Sequence, residues 1–122
     1  MRDHRKLEVF HFAHELVLMT YKITKGYPRH EIYGLTSQMR RAAVSVVANI
    51  VEGAARQSRT EYLRFLEISL GSLRELGYFL DLSRKLGFLS EEASLVVTGK
   101  HDLTIRKLVR LVKSLQQNDK ST

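Results

Sequence analysis

Cysteine is absent from this chain. Its absence excludes disulfides, thiol catalysis and Cys-ligated zinc, and fits a reducing compartment. There is one proline, Pro28, and only seven glycines in 122 residues. Few breakers mean few interruptions, so long elements are expected. No apolar run approaches the ~18–20 residues that span a bilayer. The start, Met1 to Lys6, is basic, but Glu8, His11 and Glu15 break the apolar stretch after it. It does not read as a secretory signal. A soluble, cytoplasmic protein with no membrane partner is expected. Acids are also scarce: 13 Asp+Glu stand against 20 Lys+Arg, for a net charge of +7. That balance suits a polyanionic partner, nucleic acid before anionic membrane. The plainer reading is a basic surface that keeps the protein soluble.

The length is one domain's worth and can bury a core without staples. A single domain over residues 1–122 is expected. Phe12, Leu16, Met19 and Ile23 recur at helical steps, with Val9, Ala13 and Val17 beside them. They predict a first helix over about 7–25, ended by Gly26-Tyr27-Pro28. Thr36 or Ser37 is the expected N-cap of a second helix over 36–55. Ser58 and Glu61 fit a capping box that opens a third, 59–86, with Gly87 as its stop. Ser90, Glu91 and Glu92 open a fourth, 91–117, weakened at Gly99, with residues 118–122 frayed. The class is all-α: an antiparallel up-down-up-down four-helix bundle with short loops.

Helices two and three carry more than a bundle needs. Ala42, Ser45, Ala48 and Asn49 make a small-residue face, answered by Ser69, Gly71 and Ser72. Gly71 sits mid-helix, as if something packs against it. In helix three, Tyr62, Leu66, Ser69, Leu73, Leu76 and Leu80 form one stripe. Leu63, Phe65, Ile68, Leu70, Tyr78 and Phe79 lie off it. A monomeric bundle needs only a ~100° stripe. The surplus predicts a homo-oligomer with interfaces near helix three and the small face of helix two.

No chemistry-bearing constellation survives scrutiny. Glu8 and His11 have Glu-x-x-His spacing, but the second copy that a di-metal bundle needs is missing. No P-loop or dinucleotide fingerprint is present. No catalytic, cofactor or metal residue is therefore expected. Asn49 and Glu52, three apart, read as a buried structural pair, with Glu52 holding Arg41, Arg74 or the start of helix three. The basic residues are more telling. Arg106, Arg110 and Lys113 fall on one helical face, with Lys107 adjacent, and residues 103–113 hold no acid. Residues 40–60 carry Arg40, Arg41, Arg56 and Arg59 against Glu52 alone. No Tyr or Phe is clearly exposed for base stacking, so these eight cations point to backbone phosphate contact rather than sequence readout.

The residues also resemble a known family. Tyr27-Pro28, Glu31, Tyr33-Gly34-Leu35, Ser37-Gln38, Arg40 to Ala43, Ser45, Asn49-Ile50 and Glu52-Gly53 carry the likeness. Glu61-Tyr62, Phe65-Leu66, Ser69, Gly71-Ser72, Glu75-Leu76 and Leu86-Gly87-Phe88 extend it over about residues 7–115. The pattern is similar to the bacterial four helix bundle family, also called 23S ribosomal RNA intervening-sequence proteins. Phe10 stands where many members carry Trp, and Val46-Val47 where members often have Ile-Pro. That family in turn resembles the accessory variability protein of diversity-generating retroelements. The latter is a basic homopentameric barrel that works with a reverse transcriptase and nucleic acid. The resemblance implies a homo-oligomer, a pentamer first, with an RNA- or DNA-binding role. The alternative is a protein–protein adaptor whose basic surface docks an acidic partner.

Overall fold

A computed structural model describes the backbone of residues 2–120 and the side chains of residues 2–117. It is all-helical: α1 (Glu8–Thr24), α2 (Leu35–Ala54), α3 (Arg59–Lys85) and α4 (Glu91–Lys120), with short 3-10 turns at His4–Lys6 and Arg29–Glu31. Each helix packs on its chain neighbour, and α1 also closes on α4. That cycle of neighbours is the up-down-up-down bundle. The backbone of α4 stays helical to Lys120, so the expected fraying falls short there. Ser121 and Thr122, expected to fray too, lie outside the described residues.

One core joins all four helices. Leu16, Met39, Ile50, Leu66, Leu73, Leu76 and Leu108 are fully buried. The predicted helix-three stripe, Tyr62 through Leu80, is buried along its whole length. The seam of α1 differs from expectation. It runs through Val9, Ala13, Leu16, Thr20 and Thr24, while Met19 and Ile23 lie at its edge. Two threonines enter the core because each satisfies its own hydroxyl: Thr20 donates to Leu16 O at 2.8 Å and Thr24 to Thr20 O at 2.7 Å.

The helix ends explain the loops. Ser58 Oγ accepts from Glu61 N at 3.1 Å, and Ser90 Oγ from Ala93 N at 3.1 Å. Gly87, at φ +78°, closes α3 in a Schellman motif, with Phe88 N donating to Ser83 O and Gly87 N to Arg84 O. The start of α2 departs from expectation. Neither Thr36 nor Ser37 caps it; Glu31 Oε1 accepts from Leu35 N at 3.0 Å. The preceding 3-10 turn swings that carboxylate back over the helix end. A Cβ at Gly34 would lie 2.6 Å from Glu31 Oε1, so a side chain there would push the capping carboxylate aside.

Small residues bring α2 and α3 together. Ser69 Oγ donates to Val46 O at 2.7 Å, and Ser45 and Ser72 hydroxyls meet at 2.8 Å. Part of the small-residue face of α2 is thus covered by α3 of the same chain, while Ala48 on that face is exposed. At the α3–α4 seam, the His101 ring fills the place of the missing Gly77 side chain. Its Nε2–H donates to Leu73 O at 2.7 Å. A Cβ on Gly77 would meet the ring at 2.8 Å.

Candidate functional site

The eight cations singled out in the sequence separate into those held within the chain and those left facing solvent. On α4, Arg106, Arg110 and Lys113 are exposed. Arg106 Nε donates to Asp102 O at 3.3 Å, a contact within its own helix. Among the described residues, Arg110 and Lys113 have no ion pair. Lys107 points the other way. It pairs with Glu8 and lies 4.6 Å over the Phe12 ring. Lys100 repeats the arrangement two turns earlier, pairing with Glu15 and lying 4.7 Å over the same ring. Phe12 is therefore roofed by two ammonium groups that tie α4 to α1. The Lys107 hydrogen bond, reinforced by its charge, holds the Glu8 carboxyl below the usual carboxylate range; Lys100 does the same to Glu15.

The α2 cations also diverge. Arg56 pairs with Glu52 and stacks 4.9 Å over the Phe65 ring. Its own carbonyl accepts from Arg2 Nη1 at 2.8 Å. Arg59 is exposed at the first turn of α3. Arg40 Nε donates to Thr24 Oγ1 at 2.9 Å, and its guanidinium lies 4.7 Å over the Tyr21 ring. Arg41 is exposed and, among the described residues, has no ion pair.

Asn49 and Glu52 do not form the expected buried pair. Asn49 Nδ2 donates to Ser45 O at 2.8 Å and to Ser45 Oγ at 3.1 Å, extending the Ser45–Ser72 link. Glu52 is exposed and takes Arg56, one turn on, rather than Arg41 or Arg74. Arg56 lies four residues along, just past the end of α2, and its guanidinium folds back onto that carboxylate.

The sequence reading also missed exposed aromatics. Tyr33 is 94% exposed and Tyr78 61% exposed. Tyr33 follows a short 3-10 turn just before α2. Helical periodicity says nothing about a residue outside a helix, so no signal marked it. With Tyr21, Ile32, Thr36, Ser37, Arg40, Arg41, Val44 and Ser45 it lines an open groove of about 580 Å³. No acidic residue lines that groove. The described residues bring together no group of three or more His, Cys, Asp or Glu side chains fit to hold a metal. Among them no helix is long and apolar enough to cross a membrane.

Residues 5–110 match the family described as 23S rRNA-intervening sequence protein. No curated protein matches the chain. Among solved structures, a Bacteroides thetaiotaomicron protein of unknown function from the S23 ribosomal protein family has the same fold, with a TM-score of 0.80 at 22% identity. The superposition covers 86% of this chain and 95% of that one.

Proposed function

Because the chain belongs to the 23S rRNA-intervening sequence protein family, we propose that it is a non-enzymatic, cytoplasmic nucleic-acid-binding protein that works as a closed, five-fold homo-oligomer. The observation that carries this reading is the α4 face. Arg106, Arg110 and Lys113 stand exposed along successive turns, while neighbouring Lys107 is spent on Glu8. A row of uncompensated cations at helical spacing suits phosphate oxygens of a nucleic-acid backbone. Arg41 adds exposed positive charge on the second turn of α2. Arg40, Arg56 and Lys107 contribute field rather than direct contacts, since each is held by a partner within the chain.

Assembly is supported by apolar surface that the single chain leaves open. Leu95 is 74% exposed, Val96 62%, Tyr78 61% and Ile68 47%. These lie on the outer flanks of α3 and α4, so the interfaces are proposed there, beside the exposed Ala48 of the α2 small-residue face. A ring would repeat the α4 cations around one surface.

The test is fluorescence anisotropy on labelled RNA and DNA across a salt series. The logarithm of affinity is expected to fall by about 0.7–0.9 per phosphate contact for each unit of log salt. Replacing Arg106, Arg110 and Lys113 together by Gln should flatten that slope and leave the helical spectrum unchanged. No binding at low salt to any single- or double-stranded nucleic acid overturns the reading. A stable monomer in light scattering at micromolar concentration overturns the ring.

A further inference from the structure

We infer that the groove at the start of α2 receives a nucleotide of a single-stranded nucleic acid, with its base on the Tyr33 ring and its phosphate on Arg41. The inference deepens the proposed nucleic-acid function and rests on it. Four observations converge. First, Tyr33 offers a nearly bare ring at 94% exposure, outside any helix and beside the groove. A flat π surface of that kind binds any base by stacking, and only an unpaired base can reach it. Second, the lining already holds a stacked platform. Thr24 Oγ1 fixes Arg40 Nε at 2.9 Å, and this holds the guanidinium 4.7 Å over Tyr21. Third, the lining holds two guanidinium groups and no carboxylate, so its charge complements a phosphate. Arg41 is the exposed one of the two, and among the described residues no acid pairs with it. Fourth, the volume of about 580 Å³ lies in the range of small-ligand clefts and suits a nucleotide-sized segment rather than a helix or a protein face.

A duplex would present phosphates to Arg41 but no base to Tyr33. The α4 face makes no such distinction. The two regions therefore predict different behaviour: α4 supplies strength on any polyanion, and the groove supplies a preference for unpaired strands. Ser37 lines the same groove, and its hydroxyl can bond to the edge or the sugar of the bound nucleotide.

The experiment measures binding of labelled oligouridine, the same strand paired with oligoadenosine, and oligothymidine, to the full chain. Single strands should bind more tightly than the duplex. Tyr33→Ala should weaken oligouridine binding roughly ten- to a hundredfold, and Tyr33→Phe should restore it. Arg41→Gln should weaken it and reduce the salt slope by about 0.7. Iodouridine strands, irradiated in the complex, should crosslink to Tyr33 or Tyr21 on peptide mapping. Equal affinity for duplex and single strand overturns the inference. So does unchanged oligouridine binding in both Tyr33→Ala and Arg41→Gln; loss on the α4 triple change would then leave the nucleic-acid function standing. Wild-type silence toward every strand overturns both readings. If Tyr33→Ala lowers the assembled mass in sedimentation while the crosslink persists elsewhere, a second copy occupies the groove and the inference fails.

Discussion

Single residues decide how closely the helices approach, and three mid-helix glycines show it. Gly71 and Gly99 have open space where a side chain would go, whereas Gly77 faces the His101 ring. Gly99→Ala should stabilise the protein by about 0.5–1 kcal/mol through helix propensity alone. Gly77→Ala should destabilise it by about 1–3 kcal/mol, because the buried ring must move. Urea denaturation of the two variants reads both signs. The sequence could not separate these glycines, since all three sit in similar helical surroundings. It suggested that something packs on Gly71, and among the described residues nothing lies where its side chain would go. The buried Ser69 hydroxyl is a second case. Ser69→Ala should cost about 1 kcal/mol, the worth of its bond to Val46 O.

At the scale of the element, the helix ends were legible where the cap is local and illegible where it is not. Ser58 and Ser90 each cap a backbone amide three residues on, the short-range pattern that sequence reading rests on. The α2 cap comes from Glu31, across a 3-10 turn and a glycine, and no capping rule anticipates that route. Removing caps should therefore rank the sites. Ser58→Ala should cost about 1 kcal/mol, and Ser37→Ala much less. Thermal melts followed at the helical circular-dichroism band would order them. The helix-three surplus was also only partly read. Leu63, Leu70 and Phe79 find cover within the bundle, while Ile68 and Tyr78 do not. Periodicity marks which side of a helix is apolar but not how far a neighbour's side chains reach around it.

The whole molecule is cross-braced by charge as well as by its core. Glu8 and Glu15 on α1 meet Lys107 and Lys100 on α4, and both carboxyls are held below their usual range. The sign follows directly. A depressed carboxyl contributes stability above its unfolded value, and that contribution is lost as pH falls through the folded value. The loss should fall below pH about 4, given ordinary Glu titration. Both acids are exposed, so the effect is modest. Comparing urea midpoints at neutral and acid pH should show it, and Glu8→Gln with Glu15→Gln should flatten it. Those pairs were invisible in sequence because their partners are 99 and 85 residues apart. For the same reason the sequence counted Lys107 among the outward cations. Charge runs along a helix are legible, whereas the face each side chain takes depends on which helix lies beside it.

The meeting of Gly77 and His101 has a consequence for how this sequence can change over generations. Each residue sets the size allowed to the other: the imidazole occupies the volume that any larger residue at 77 would need. Neither position is free to drift by itself. A bulkier residue at 77 becomes tolerable only after 101 has shrunk, and a ring at 101 stays seated only while 77 remains bare. The two should be inherited as a unit, so relatives that gain a side chain at the first position should have lost the ring at the second. The same interdependence should appear in the laboratory. Gly77→Ala should cost markedly less in a His101→Ala background than in the parent, a coupling of about 0.5–3 kcal/mol in a double-mutant cycle. Additive costs would show that the two positions vary independently.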